Sequence, residues 1–285
     1  MRPLIGFNGR PIDIPSWSQV GNDLYISEGG GFSELAALSP TRIAYLMGVA
    51  DNLRTYDFDG TNWTQVGTDL FLDGDGGQGR FVGLSSSRIA FADRADDDLR
   101  VYDFDGTNWS SVGNALSFPS MGNPGIAALS ASRIAFVDGS NDDIRTYEFD
   151  GTNWSQIGND LYISGMGQPS LASLTSTRIA MIDDSIEELR TYDFNGTDWS
   201  QTGNSFSLAG VFNPKITGLN SSRVAFVDTN YDSLRTYEFD GSDWSLVGTA
   251  LEIPSVGYPT MSALSSTRVA FRDNSNQDLR TYEFV

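Results

Sequence analysis

The feature that most constrains this chain is a repeat. Ser176-Thr177-Arg178-Ile179-Ala180, then Leu189-Arg190-Thr191-Tyr192-Asp193-Phe194-Asn195-Gly196-Thr197-Asp198-Trp199, recurs six times with small changes. Its first arginine falls at Arg42, Arg88, Arg133, Arg178, Arg223 and Arg268, in steps of 46, 45, 45, 45 and 45 residues. The second arginine follows twelve residues later at Arg54, Arg100, Arg145, Arg190, Arg235 and Arg280. A tryptophan keeps the same rhythm at Trp17, Trp63, Trp109, Trp154, Trp199 and Trp244. A fixed period of this length marks a repeat architecture.

Each unit reads as four short strands, here named inner, second, third and outer. In the fourth unit they are Leu171–Leu174, Arg178–Asp183, Leu189–Phe194 and Trp199–Leu208. Asp-Gly or Asn-Gly between aromatic strands is a hairpin signal and joins third to outer. Gly203 in the outer strand marks a bulge. Pairing second with third strands predicts that Ala90 faces Tyr102, with Arg88 near Phe104, Asp103 and Asp105. A small residue opposite a large ring suits interdigitated core packing.

Four-stranded sheets repeated in a ring make a β-propeller, and six units make six blades. The last unit stops at Phe284-Val285 without an outer strand, while the chain opens with an unaccompanied one from Trp17 to Ile26. One supplies what the other lacks, so the expected fold is an all-β, six-bladed β-propeller. Its blades are four-stranded and antiparallel, the last is closed by the N-terminal outer strand, and residues 1–285 form a single domain. An open solenoid would want polar capping units, and none is visible.

With 18 basic against 37 acidic residues the net charge is −19, which opposes nucleic acid and anionic membranes as partners. Twelve of the basic residues are the framework arginines, and Lys215 is the single lysine. Absence of cysteine removes disulfides and thiolate chemistry, and absence of histidine removes the commonest general base and metal ligand. Met1 to Arg10 has no apolar run of signal-peptide length, and no segment is long and apolar enough to span a membrane. A cytoplasmic or virion setting is the expectation.

In such a meander, turns alternate between two faces of the ring. Inner-to-second and third-to-outer turns are nearly uniform, as in Asp105-Gly106-Thr107-Asn108 and Asp150-Gly151-Thr152-Asn153. The other face, carrying second-to-third turns and blade-to-blade connections, varies, and loops on a rigid scaffold are the usual place for function. Candidate ligand-binding residues there are the apolar tips Phe32, Met121, Met166, Phe212 and Tyr258 and the turn acids Asp97, Asp142 and Glu187. The same acidic turns admit a calcium reading, with Asp73 and Asp75 as the local candidates, although no loop has EF-hand spacing. The plainer reading is that Asp-rich turns form turns. The framework arginines are expected in ion pairs within each blade, such as Arg100 with Asp93. The tryptophans are expected in blade-to-blade packing. Nucleophilic serine lacks a base and Schiff-base chemistry would rest on Lys215 alone, so an enzyme is not expected and no cofactor is predicted.

The Asp59-Gly60-Thr61-Asn62-Trp63 turn resembles the Asp-box of sialidase-type propellers, where it is structural; the arginine triad and tyrosine nucleophile of that family have no counterpart. The blade also resembles that of six-bladed fucose-binding lectins, through Arg133-Ile134-Ala135-Phe136 and Phe149-Asp150-Gly151-Thr152-Asn153-Trp154. That resemblance implies a propeller and a lectin-like role. The sugar-binding glutamate of the family is replaced by Thr55, Val101, Thr146, Thr191, Thr236 and Thr281, and the spacing to tryptophan is one residue longer.

The resulting expectation is a non-enzymatic binding module with a glycan or protein partner at repeated sites on the varied face. The alternative is an assembly component, such as a virion or surface-structure subunit, that self-associates through a contiguous apolar patch including Met121, Met166 and Phe212.

Overall fold

The computed structural model describes residues 14–27, 33–48, 52–72 and 79–285. Phe32, Asp73 and Asp75 lie outside the described residues. The described residues form strands and turns with no helix, arranged as six antiparallel sheets. The third blade runs Pro124–Ala128, Arg133–Asp138, Asp143–Phe149 and Trp154–Tyr162 in spatial order, and the others follow the same plan. Each inner strand contacts the next, and Thr260–Ala263 of the sixth blade returns to Glu34–Ser39 of the first. The protein is a six-bladed β-propeller.

Closure follows the expected exchange of ends. Trp17–Gln19 and Leu24–Tyr25 complete the sixth blade by pairing with Asp278–Phe284, with Trp17 opposite Phe284 and Leu24 opposite Leu279. Ser16 N–H donates to the Val285 carbonyl at 2.9 Å and Val20 N–H to the Thr281 carbonyl at 2.8 Å. The closing strand removes an exposed sheet edge.

The second strands are buried on both faces; Ile89, Ala90, Phe91 and Ala92 are all withdrawn from water. Burying side chains of this size contributes roughly 1.5–3 kcal/mol for each larger one. The register differs from expectation by one residue. Tyr102 lies opposite Ile89 and Ala90 opposite Val101, while Arg88 lies opposite Asp103. The cause is the turn between Asp93 and Asp98, which closes with Asp97 in the left-handed region at φ 53°. Loop geometry of this kind sets hairpin register. Both members of the expected Ala–Tyr pair are still core.

The outer-strand glycine makes the expected bulge. Gly113 sits at φ 70°, where the ladder shifts between Val112 and Leu116. A Cβ there would meet the Thr152 carbonyl oxygen of the next blade at 2.4 Å, so glycine is also required by close approach. The following residue uses that approach: Asn114 N–H donates to the same carbonyl at 2.6 Å, and its side chain bonds Asn153 at 2.9 Å.

Among the described residues, eleven of the twelve framework arginines are ion-paired within their blades; Arg235 instead bonds Ser233 Oγ at 2.9 Å and lies over the Tyr231 ring. Arg88 grips Asp103 through Nε at 2.6 Å and Nη2 at 2.7 Å, and Arg42–Asp57 and Arg178–Asp193 repeat that fork. Where the acid is one methylene longer, at Glu148, Glu238 and Glu283, only Nη2 is engaged. The buried Nε of Arg133, Arg223 and Arg268 is then left without a partner among the described residues. Arg100 reaches Asp98 at 2.8 Å and Asp93 at 3.7 Å, and also bonds Asp96.

The tryptophans tie blade to blade. The indole N–H of Trp109 donates to Thr55 Oγ1 of the preceding blade at 2.9 Å. Trp63–Thr281, Trp199–Thr146, Trp244–Thr191 and Trp17–Thr236 repeat the bond around the ring. The threonines that stand in place of the lectin-type glutamate are therefore structural acceptors.

Candidate functional site

The varied face is built by loops that hold one another. Asp97 Oδ1 accepts the Met121 N–H at 2.7 Å, and the next blade's Asp138 accepts the Gly122 N–H at 2.9 Å. Asp142 does the same for Met166 at 3.0 Å, and Asp183 for Gly167 at 2.9 Å. The connections after the second, third and fifth blades are thus pinned between two acids, the last by Asp232 on Val256 N–H and Asp273 on Gly257 N–H. Burial pushes the carboxyls of Asp93, Asp183 and Asp228 up, against the pull of the backbone N–H groups they accept.

This geometry relocates the residues singled out in the sequence. Met121 and Met166, expected as exposed apolar tips, are buried beneath their loops, as are the equivalent Val211 and Val256. They pack into the inter-blade clusters. The contiguous apolar patch expected from Met121, Met166 and Phe212 is therefore absent among the described residues. Phe212 and Tyr258 are about half exposed. Asp97, Asp142 and Glu187 all sit in the left-handed region, at φ 53°, 56° and 55°. The first two direct their carboxylates to the blade connections, and Glu187 offers its carbonyl to Leu208 N–H at 2.8 Å. Among the described residues, no group of three or more acids is placed to hold a metal ion.

One place on this face gathers unlike groups. At or next to the start of the inner strands, equivalent positions hold Glu34, Arg80, Gly125, Ser170, Lys215 and Thr260, no two of them the same residue. All but the buried Thr260 line the mouth of the central channel, a cavity of about 220 Å³ whose other lining includes small residues such as Ala36, Ala127 and Thr217. Glu34 Oε1 accepts a hydrogen bond from Lys215 Nζ at 2.6 Å, and Arg80 Nη1 forms an ion pair with the same oxygen at 2.9 Å. Lys215 is 18% exposed and Glu34 11%, so the cluster is largely withdrawn from water. Desolvation, reinforced by the Arg80 charge and opposed by Glu34, holds the Lys215 amine down to about 8.

Polar side chains surround the cluster: Asn123 and Gln168 on one side, Asn213, Tyr258 and Ser33 on the other. Tyr258 and Asn213 have φ 47° and 48°. For an aromatic residue that conformation costs on the order of 1 kcal/mol, and such outliers concentrate at functional sites. Of the sequence candidates, Tyr258 alone among the described residues joins this mouth. Sequence reasoning missed Glu34 and Arg80. The available signal was positional: one slot of the repeat in which chemistry changes from unit to unit, and which holds the only lysine.

No protein family matches the chain, and no curated protein matches it in sequence. Solved structures share the fold. A streptogramin B lyase is similar at 10% identity with a TM-score of 0.63, covering 95% of this chain and 98% of the lyase. A lectin from Aleuria aurantia, bound to α-methyl-L-fucoside, is similar at 15% identity with a TM-score of 0.59, covering 88% and 90%. A chain of a nidogen/laminin complex is similar at 15% identity with a TM-score of 0.58, covering 84% and 93%. These likenesses extend over most of each chain and concern the propeller. They span a lectin, an enzyme and a protein complex, so the fold by itself is compatible with binding and with catalysis.

Proposed function

We propose that the protein is a non-enzymatic binding module that takes a glycan or another small polar ligand on its varied face, at the channel mouth. The observation that carries this reading is the divergence of six equivalent positions around one opening, in a chain whose other framework positions repeat. Gly125, Ser170 and Thr260 show that the blade folds without a charged residue at this position. Placing Glu34, Arg80 and Lys215 there costs desolvation that hydrophobic packing would not incur. The surrounding amides and Tyr258 offer the directional hydrogen bonds that orient a ligand in a concave site. The expected activity is recognition: beyond the Lys215 amine, the mouth presents no base and nucleophile in contact.

Titration calorimetry and a glycan array on the wild-type protein and on Lys215→Met test the reading. Binding that is lost in the variant supports it, and silence across a broad panel overturns it. A second reading, assembly through the rim, is favoured by exposed Tyr25, Phe71 and Tyr162 at equivalent ends of three outer strands. Sedimentation showing a monomer at every concentration would remove it.

A further inference from the structure

We infer, on the reading that the channel mouth is a ligand site, that it selects a small organic molecule carrying a single carboxylate, held between Arg80 and Lys215. Glu34 pairs with both cations through the same oxygen, so one negative charge serves two positive ones and the cluster carries one unit of positive charge. No other ion pair of Arg80 or Lys215 is present among the described residues. The sharing also fixes geometry: contact with one Oε1 keeps the guanidinium and the ammonium close to each other.

Donors remain for a guest. Lys215 uses one of its three N–H groups, on Glu34. Arg80 bonds Glu34 and the Gly79 carbonyl through Nη1, at 2.9 and 3.3 Å, leaving Nε and Nη2 of its fork for a planar, two-oxygen acceptor. A carboxylate brings the single negative charge that neutralises the cluster, whereas a phosphate dianion would overshoot it. The neutral amides of Asn123, Gln168 and Asn213 line recesses at the same opening, where they meet the uncharged part of the molecule. The channel volume of about 220 Å³ limits that part to roughly the size of one sugar ring. In a chain whose overall net charge is −19, this local concentration of positive charge is selective by contrast.

The test is titration calorimetry of the full chain with sodium glucuronate, glucose and inorganic phosphate, repeated on two variants whose folding is checked by thermal melting. Expected is one glucuronate per chain, with glucose roughly tenfold weaker or worse. Lys215→Met, which leaves a neutral Arg80–Glu34 pair, weakens glucuronate roughly tenfold, and Glu34→Gln, which raises the cluster to two positive charges, tightens it. The opposite signs separate charge recognition from general damage to the site. Glucose binding as well as glucuronate, or phosphate binding tighter, overturns the carboxylate and leaves the binding-module reading standing. Glucuronate binding unchanged in both variants also overturns it. No binding by any molecule of a broad sugar panel overturns both.

Discussion

The tryptophan belt and the channel mouth are each a sixfold ring drawn from one position of the same repeat, and they differ in what varies. In the belt, five of the six indoles reach a threonine of the preceding blade, and the bond lengths span only 2.9 to 3.0 Å. At the mouth, the six positions hold six different residues, Glu34, Arg80, Gly125, Ser170, Lys215 and Thr260: one acid, two cations, two hydroxyls and a glycine. The belt has to satisfy every joint in the same way, because a propeller closes only if each blade meets its neighbour at the same angle. The mouth is less constrained: Ser170 accepts the Ile216 N–H of the next blade at 3.2 Å, but Glu34, Arg80 and Lys215 line the opening. Uniformity therefore reports on folding, and divergence within the same period reports on what the ring is for.

The largest expected effect breaks the belt at its seam. Deleting residues 1–27 removes Trp17 and its bond to Thr236, uncovers Phe284 and leaves Asp278–Phe284 as a bare edge strand. Losing a buried tryptophan alone costs about 3–5 kcal/mol, and the lost ladder adds to it, so the truncated chain is expected to melt far lower or to aggregate. Circular dichroism melts and light scattering check this. An unchanged melting temperature would mean that the ring does not depend on its clasp.

The second prediction separates the two rings by sign. Lys215→Met removes a largely buried charge from the mouth while leaving the Glu34–Arg80 pair intact. Burial and the Arg80 charge disfavour the Lys215 ammonium, and Glu34 keeps Arg80 as a partner, so removing the ammonium is expected to raise stability modestly. The same variant loses ligand affinity, the exchange of stability for function expected of a binding site. A belt residue changed in the same spirit only destabilises. Chemical denaturation beside calorimetry reads both quantities.

A third prediction uses pH on the mouth alone. The folded-state amine of Lys215 titrates at about 8, below the ordinary lysine value of 10.5, and the charged groups it feels are Arg80 and Glu34. As pH rises through 8 the cluster falls from one positive charge to none, so carboxylate affinity at pH 9 is expected about fivefold below that at pH 7. The stability contribution of this group runs the other way. Between about 8 and 10.5 the unfolded chain holds a proton that the folded chain has released, so this group adds stability as pH rises there. Both slopes should vanish in Lys215→Met.

How much of this was legible follows from the same contrast. The blade number, the clasp and the ion-pairing of the framework arginines stand in the sequence because aromatic and charged residues recur at a fixed step. The Arg88–Asp103 pair was placed correctly although the strand register was one residue out. The shift lies in a turn whose last residue, Asp97, takes a left-handed conformation that an Asp-rich loop does not announce. Met121 and Met166 looked like loop tips because they sit in a connection, yet Asp97 and Asp142 pull those connections down and bury them. The mouth was hidden for a different reason. Glu34 and Lys215 are separated by 181 residues, and only ring closure brings them to one oxygen–nitrogen contact.

The smallest expected effect sharpens the belt itself. Its one irregular joint is between the second and third blades, where Val101 replaces the threonine and the buried Trp154 indole N–H has no acceptor among the described residues. Val101 is buried and packs in the inter-blade cluster that also holds Trp154. Valine and threonine have nearly the same shape, so Val101→Thr places an oxygen where the other five joints have one without changing volume. The gain sets one satisfied buried donor against the desolvation of a hydroxyl, and is expected to be about 1 kcal/mol. The reverse change at a complete joint, Thr55→Val, strips the Trp109 indole of its partner and is expected to cost about 1–2 kcal/mol. Denaturant midpoints of the two variants and the wild type decide it. Opposite shifts would establish that the threonine hydroxyl, rather than the bulk of the side chain, is what the repeat keeps at this position; equal shifts of the same sign would show that packing around each indole dominates its hydrogen bond.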